Sequence, residues 1–377
     1  MLNIKLNYDK LTKGWFSARH AISYNRHFMA VTGKRSTGKS TGVAIWLICE
    51  YYRTRQGWIY SRRTKDTSDL TCREWFDNAC DIINAEYNIG LKVTCKGGYY
   101  YLSDKSDTIV NDEDTEDLQE PEREEHVCGR VIPLSLQQKY KGSNLSMFDY
   151  IVYDEFIAFP GESYLGSSTD IIREYKALMS LFETVDRGIG CAHRNAVKIF
   201  CLGNNDTYYN PIYIALGADR YLRTDTKILA PKGEEWLVQQ LSPEDAPKAE
   251  EYKDSVGYKL ADARTKAYAY ENKASEDNGN FIEEVDAPLK SVFEAIFDGF
   301  KMVVYQYNQG FYVAPGTAPG REKYALTMAD HTPNYKLTMG YYGYELVQFK
   351  KAYSDGLVRF KNQKCKYCFD NYFKFIR

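Results

Sequence analysis

No run of 18 apolar residues occurs in the 377-residue chain, so no membrane-spanning helix is expected. No signal-peptide pattern is read at the amino terminus either. Nine cysteines are scattered without the even number and spacing of a disulfide framework, which fits a reduced compartment. Cys365 and Cys368 form a lone C-x-x-C with no second pair to complete a four-ligand zinc site, so two ordinary thiols on a helix face are expected. Nor is there a large excess of charge of one sign: 49 Lys and Arg stand against 51 Asp and Glu, a formal net charge of −2 that hides strong local asymmetry. What is present is ordinary for a globular protein, with 44% apolar and 27% charged residues. The length exceeds one ordinary compact core, so at least two domains are expected. Tyrosine is abundant, 33 residues, in runs such as Tyr99-Tyr100-Tyr101 that suit strands and packed surfaces better than base stacking.

The chain is organised around Gly33-Lys34-Arg35-Ser36-Thr37-Gly38-Lys39-Ser40, which fills every position of G-x-x-x-x-G-K-[ST]. A short apolar stretch, Phe28 to Val31, precedes it, and a helix-like stretch from Thr41 to Arg53 follows. Strand, glycine loop and helix form the context in which this pattern cradles phosphates through loop N–H groups and a helix N-terminus. Lys39 is expected to reach the β- and γ-phosphates of ATP, and Ser40 to put its hydroxyl on Mg2+. Thr41 is counted with the cradle. Lys34 and Arg35 read equally as phosphate sensors and as solvated loop charges.

A second landmark is Tyr150-Ile151-Val152-Tyr153-Asp154-Glu155-Phe156, an apolar strand ending in two acids about 115 residues beyond the loop. Alone this is weak, since many strands end in acids. Paired with a complete glycine loop, it reads as a Walker B element in which Asp154 holds the magnesium and Glu155 polarises the attacking water. The strand Ala196 to Leu202 runs into Gly203-Asn204, and Asn204 is read as a sensor of the γ-phosphate or water rather than as a plain turn residue. Trp58 to Ser61 reads as another strand, ending in Arg62-Arg63 at the edge where α/β sheets bind ligands. Residues 1–27 are expected to pack beside the nucleotide.

Asp66 to Tyr87 reads helical, and Leu91–Leu102 and Val127–Ile132 look like the two arms of a hairpin. Between them Asp104 to Glu125 carries eleven Asp and Glu against two basic residues, a solvated acidic loop that nucleic acid would repel. Strands alternating with helices imply a parallel sheet flanked by helices, of the P-loop additional-catalytic-glutamate ATPase class. The expected division is a P-loop ATPase domain over 1–230, a helical linker over 231–275 and a C-terminal domain over 276–377. The end of the chain is basic and aromatic, with Arg359, Lys361, Lys364 and Lys366 open to two readings, a phosphate-tracking surface or a solvated helix face.

GKRSTGKS, IYSRR at 59–63, VYDEFI at 152–157, ETVDR at 183–187, FCLGN at 200–204, YNP at 209–211 and GLVRFKNQ at 356–363 occur together in one order. In this the chain resembles the DNA-packaging ATPases, terminase-like large subunits, of small podophages with protein-capped linear genomes. The resemblance covers nearly the whole chain, and ETVDR with GLVRFKNQ is its most specific part. It implies an ATP-driven translocase of double-stranded DNA, a homomeric ring, expected pentameric, docked on a capsid portal in the host cytoplasm. It leaves open whether a structural packaging RNA joins the motor.

The resemblance also assigns Arg187 to a trans arginine that completes the neighbour's site, Lys141 to a second residue acting across the interface and Arg62 to an arginine near the nucleotide. It makes the C-terminal domain a ribonuclease-H-like fold without metal ligands. The first candidate strand there, Lys301 to Tyr307, carries no acid, and Asp298, Asp330 and Asp355 are dispersed, so no nuclease activity is expected. Two rival functions share the glycine loop. One is a P-loop helicase or chromosome-type DNA pump. The other, a phosphotransferase, is disfavoured by Glu155 and Arg187.

Overall fold

The computed structural model describes residues 4–66, 71–107, 125–158, 164–165, 170, 172–186, 196–205, 207–222, 226–261, 266, 281–285, 288–338 and 343–374. They form two compact units. The first gathers the described residues of 1–165, 173–206 and 225–273, and the second those of 166–172, 207–224 and 274–377. Among the described residues, no helix is long and apolar enough to cross a membrane.

The first unit is a nine-stranded sheet with helices. In chain order its elements are α1 (Tyr8–Leu11), α2 (Arg19–Ser23), β1 (Phe28–Thr32), α3 (Lys39–Thr54), β2 (Gly57–Ser61), α4 (Asp77–Tyr87), β3 (Lys92–Lys96), β4 (Tyr99–Ser103), β5 (His126–Val131), β6 (Phe148–Asp154), α5 (Arg173–Val185), β7 (Lys198–Gly203), β8 (Ile228–Leu229) and β9 (Trp236–Gln240). The strand order is β3-β4-β5-β2-β6-β7-β1-β9-β8. The six strands from β5 to β9 in that order pair in parallel. Every residue of β1 and β2 is buried, as expected of parallel strands covered on both faces. Strand β7 lies between β1 and β6, so the glycine-loop strand and the Asp-Glu strand are not neighbours.

Helix α3 buries Val43, Ala44, Leu47, Ile48 and Tyr51 in the main apolar cluster. The amino-terminal segment lies against its first turns. Tyr8 Oη donates to the Gly42 carbonyl at 3.1 Å and accepts from Ala18 N at 2.7 Å. Only glycine fits at position 42, because a Cβ there would stand 2.4 Å from the Phe16 carbonyl oxygen.

Two details differ from the sequence reading. Leu91–Leu102 is a hairpin by itself, β3 and β4, turned at Gly97 and Gly98 with positive φ of 58° and 79°. β5 then joins β4 antiparallel and β2 parallel. And the 231–275 stretch is not helical throughout: Trp236–Gln240 is a buried strand beside β1, and among the described residues short helical turns follow from Pro243 onward. Averaging composition over the stretch hid five consecutive strand residues. The middle of the acidic loop, 108–124, lies outside the described residues. Its near end is fixed, since Tyr52 Oη donates to Asp104 at 2.7 Å and Asp107 pairs with His126 at 3.2 Å.

The second unit contains α6 (Pro211–Leu216), β10 (Lys290–Phe297), β11 (Phe300–Tyr307), β12 (Gly310–Pro315), β13 (Lys323–Ala325), β14 (Lys336–Leu337), α8 (Tyr344–Ser354), β15 (Val358–Phe360) and α9 (Gln363–Lys374); α7 (Val256–Leu260) belongs to the first unit. Its sheet runs β14-β13-β10-β11-β12-β15. β10, β11 and β12 form an antiparallel meander, and β13, β14 and β15 add in parallel. Phe293, Val304, Val313, Phe349, Cys365 and Phe369 are central in its core. Thus the strand read as first, 301–307, is second. The strand before it carries an acid, Glu294, which is fully buried.

Candidate active site

The glycine loop joins the carboxyl end of β1 to α3. Gly38 takes φ +80° as the residue before the helix, and Ser36 takes φ 59°. Phe16 N donates to the Thr37 carbonyl at 3.1 Å, so the amino-terminal segment does border the loop. Lys39 is buried and folds back across it. Its Nζ donates to the Gly33 and Lys34 carbonyls, both at 2.8 Å, and stands 3.4 Å from Asn204 Oδ1 at the tip of β7. The cation and the polar tip of the interposed strand, 165 residues apart, therefore meet. Asn205 Nδ2 donates to Gln240 Oε1 at 2.8 Å, tying the β7 tip to β9. Lys34 is buried with its carbonyl turned to Lys39, whereas Arg35 is exposed. Ser40 and Thr41 open α3 half-buried.

At the tip of β6 the two acids differ. Asp154 is buried and Glu155 has its side chain 59% exposed. Burial pushes the Asp154 carboxyl above its ordinary range, opposed by the Arg62 guanidinium and reinforced by the Glu155 charge. Arg62 bridges the acids: Nη2 lies 2.7 Å from Glu155 Oε1 and Nε 3.5 Å from Asp154 Oδ2. Tyr60 Oη adds a hydrogen bond to Asp154 Oδ2 at 3.2 Å. Glu155 adopts φ +55°, a left-handed conformation costing a residue with a side chain about 1–2 kcal/mol.

The sequence reading passed over what holds that backbone. Arg63 Nη2 donates to the carbonyls of Glu155 at 3.2 Å and Phe156 at 3.1 Å. Its Nε donates to Glu174 Oε2 at 2.9 Å. Glu174 is fully buried in the first turn of α5 and accepts from Tyr153 Oη at 2.5 Å and Leu165 N at 2.8 Å. Nothing local marks Glu174, which reads as an ordinary acid near a helix start. The second arginine of IYSRR was the one available signal.

The other expected residues fare differently. Lys141 is exposed at the end of a 3-10 helix, Leu134–Tyr140, whose first N–H groups bond to the Arg62 and Arg63 carbonyls. Arg187 lies outside the described residues, one position past Asp186. In the carboxyl tail the phosphate-tracking reading loses candidates. Lys366 is buried and salt-bridged to Asp370 at 2.5 Å. Arg359 donates to the carbonyls of Gly356 at 2.9 Å and Val358 at 3.1 Å, and Lys364 sits over the Phe300 ring at 4.0 Å. Lys361 is exposed. Cys365 and Cys368 are core residues of α9, and burial pushes the Cys365 thiol up to about 12.

The donor set suits a magnesium–nucleoside triphosphate. The loop strands a buried ammonium on its own carbonyls, where phosphate oxygens are better acceptors, and a buried carboxyl with a raised pKa stands near the tip of the sheet, where a cation would favour its ionised form.

A mixed α/β protein with a central parallel sheet and a phosphate-loop pattern at its carboxyl edge is the class so defined. The chain belongs to the podovirus DNA encapsidation protein (Gp16) family, whose pattern matches residues 122–377. It is 26% identical over 353 residues to the DNA packaging protein of Bacillus phage PZA, covering 93% of this chain and 94% of that protein. To the DNA packaging protein of Bacillus phage phi29 it is 25% identical over 353 residues, with the same coverage. In fold it is similar to a chain of the bacteriophage phi29 viral genome packaging motor assembly, with a TM-score of 0.63 at 22% identity over 96% of this chain and 99% of that one.

Proposed function

We propose that this chain is the ATP-hydrolysing motor subunit that drives double-stranded DNA into a viral procapsid. The observation that carries this reading is the gathering of Lys39, Asn204, Arg62, Asp154 and Glu155 at the carboxyl tips of adjacent parallel strands. The strand interposed between β1 and β6 supports the additional-catalytic-glutamate class of P-loop ATPase. In this reading Lys39 leaves the loop carbonyls for the β- and γ-phosphates, and loop N–H groups hold the rest of the triphosphate. Ser40 and Asp154 hold Mg2+, which supplies neutralisation of phosphate charge. Glu155 is the general base for water. Its carboxylate is now engaged by Arg62, so a phosphoryl oxygen competing for that guanidinium frees the base. Asn204 then senses the γ-phosphate or the water from beside Lys39.

The family supports a ring, pentameric by resemblance, that works on a capsid portal with DNA through its centre, with or without a structural RNA. Arg187 acts in trans in this reading, and Lys141, exposed at its helix end, acts across the same interface. In mixed rings, Arg187→Ala and Glu155→Gln subunits should restore turnover at some interfaces. No recovery at any ratio, in rings shown to be mixed, would count against trans action. The strand order of the second unit supports the ribonuclease-H-like reading, and no nuclease activity is proposed for it. Glu294 accepts from Ala318 N at 2.6 Å and the Tyr335 hydroxyl, and Asp330 from the N–H groups of Asp298 at 2.6 Å and Gly299 at 2.8 Å and the Thr327 hydroxyl at 2.5 Å. Asp298 and Asp330 are thus neighbours, not dispersed, but Asp330 is occupied in capping a turn. The test of the whole reading is packaging: protein, procapsid, DNA and ATP should yield nuclease-protected DNA, and Lys39→Ala should yield none. DNA protected equally well by Lys39→Ala would overturn it.

A further inference from the structure

Arg63 and Leu202 bond the backbone just behind Glu155, and Glu174, Tyr153, Tyr164 and Leu165 stand behind Arg63. Arg63 is buried, and its guanidinium lies over the Tyr164 ring at 5.0 Å. One of its terminal nitrogens is shared by the Glu155 and Phe156 carbonyls, and its Nε is fixed by Glu174, which is itself fixed by Tyr153 and Leu165 N. The Phe156 N–H is held from the other side by the Leu202 carbonyl of β7 at 3.1 Å. Glu155 therefore sits in a strained left-handed conformation whose following peptide is gripped on both sides. Such strain persists only where surrounding bonds over-determine it, and it sets where the side chain points. Arg62 and Arg63 are adjacent in sequence yet divide the labour: the first holds the Glu155 carboxylate, the second its main chain.

We infer that Arg63 and Glu174 are positioning residues of the hydrolytic site, acting through the Glu155 backbone to aim its carboxylate. This rests on the reading of Glu155 as the base. A buried pair anchoring a strand to a helix could serve stability alone, and the two roles separate on kinetics. Arg63→Lys keeps the charge and one contact but cannot span Glu174 and both carbonyls. A base displaced by a fraction of an ångström to one ångström loses about 10–100-fold in rate.

The expected result for the full-length Arg63→Lys variant is kcat down about 10–100-fold, with KM and the stoichiometry of ATP binding within about twofold of the parent. Added to Glu155→Gln, Arg63→Lys should lower the residual rate no further, because the group it aims is already gone. A purely structural role predicts instead a loss of bound ATP per chain and an additive effect in the double variant, and either overturns the inference. Tyr153→Phe removes one bond to Glu174 at nearly constant volume and serves if Arg63→Lys does not fold. A fall of a few-fold in kcat at unchanged KM is expected, and an unchanged kcat overturns the inference. If Glu155→Gln alone hydrolyses ATP normally, it is the reading of the base that fails, a result separate from all of these.

Discussion

Glu155 in the first unit and Glu294 in the second belong to comparable places, an acid on or at the end of a sheet strand, and their surroundings differ in kind. Glu155 keeps its side chain 59% exposed, is touched by one cation, Arg62, and holds a strained left-handed backbone. Glu294 is fully buried and shares its two oxygens among a backbone N–H, a tyrosine hydroxyl and Lys323 at 3.9 Å. The first carboxylate has acceptor capacity left for water. The second is closed off from solvent, and its bonds tie β10 to the segments carrying Ala318 and Tyr335. Counting acids on strands would equate the two; counting their partners separates them.

The largest effect expected from breaking this comparison is at Glu155. Glu155→Gln should lower ATP turnover about 10²–10⁴-fold while leaving ATP affinity near that of the parent. Glu294→Gln should do the reverse, leaving turnover per folded molecule within about twofold. It should cost about 1–3 kcal/mol in denaturant unfolding, because an amide must face groups that now donate to a carboxylate. A Glu294→Gln protein that is fully stable and catalytically impaired would erase the distinction.

Packing of the amino-terminal segment gives a smaller effect. Alanine favours a helix interior by about 1 kcal/mol over glycine, yet Gly42→Ala must push the Phe16 carbonyl away, and overpacking of this kind costs about 1–3 kcal/mol. Net destabilisation is expected, with ATP affinity weakened because Phe16 N holds the Thr37 carbonyl of the loop. Thermal unfolding with and without ATP measures both.

The glycine loop and the tip of β6 were legible because their patterns are local: a cradle and an acid pair can be read within ten residues. Asn204 was legible from the order of elements, and its contact with Lys39 agrees with that placing. Arg63 and Glu174 were not, because their bond spans 111 residues and no periodicity announces a partner so far away. β9 was missed because a five-residue strand vanishes in the average of a charged, alanine-rich stretch. Lys366 was misread although its partner stands four residues on, the spacing at which helix side chains meet.

The tail supplies the smallest expected effect. Lys361→Gln should flatten the slope of log affinity against log salt for a short duplex by up to roughly one unit if the tail meets DNA. Lys366→Gln should leave that slope alone and lower stability by about 1 kcal/mol, since its ammonium is spent on Asp370. Equal slope changes in the two variants would mean that the internal pair opens on DNA.

The central claim is that the loop from Gly33 to Ser40 is a triphosphate cradle whose cation is Lys39, and equilibrium ATP binding by Lys39→Ala tests it most directly. Removing a charged donor from a phosphate should weaken binding about 10–100-fold at unchanged fold, with hydrolysis lost in parallel. ATP bound by folded Lys39→Ala as tightly as by the parent, and turned over at the parent's rate, would contradict the account.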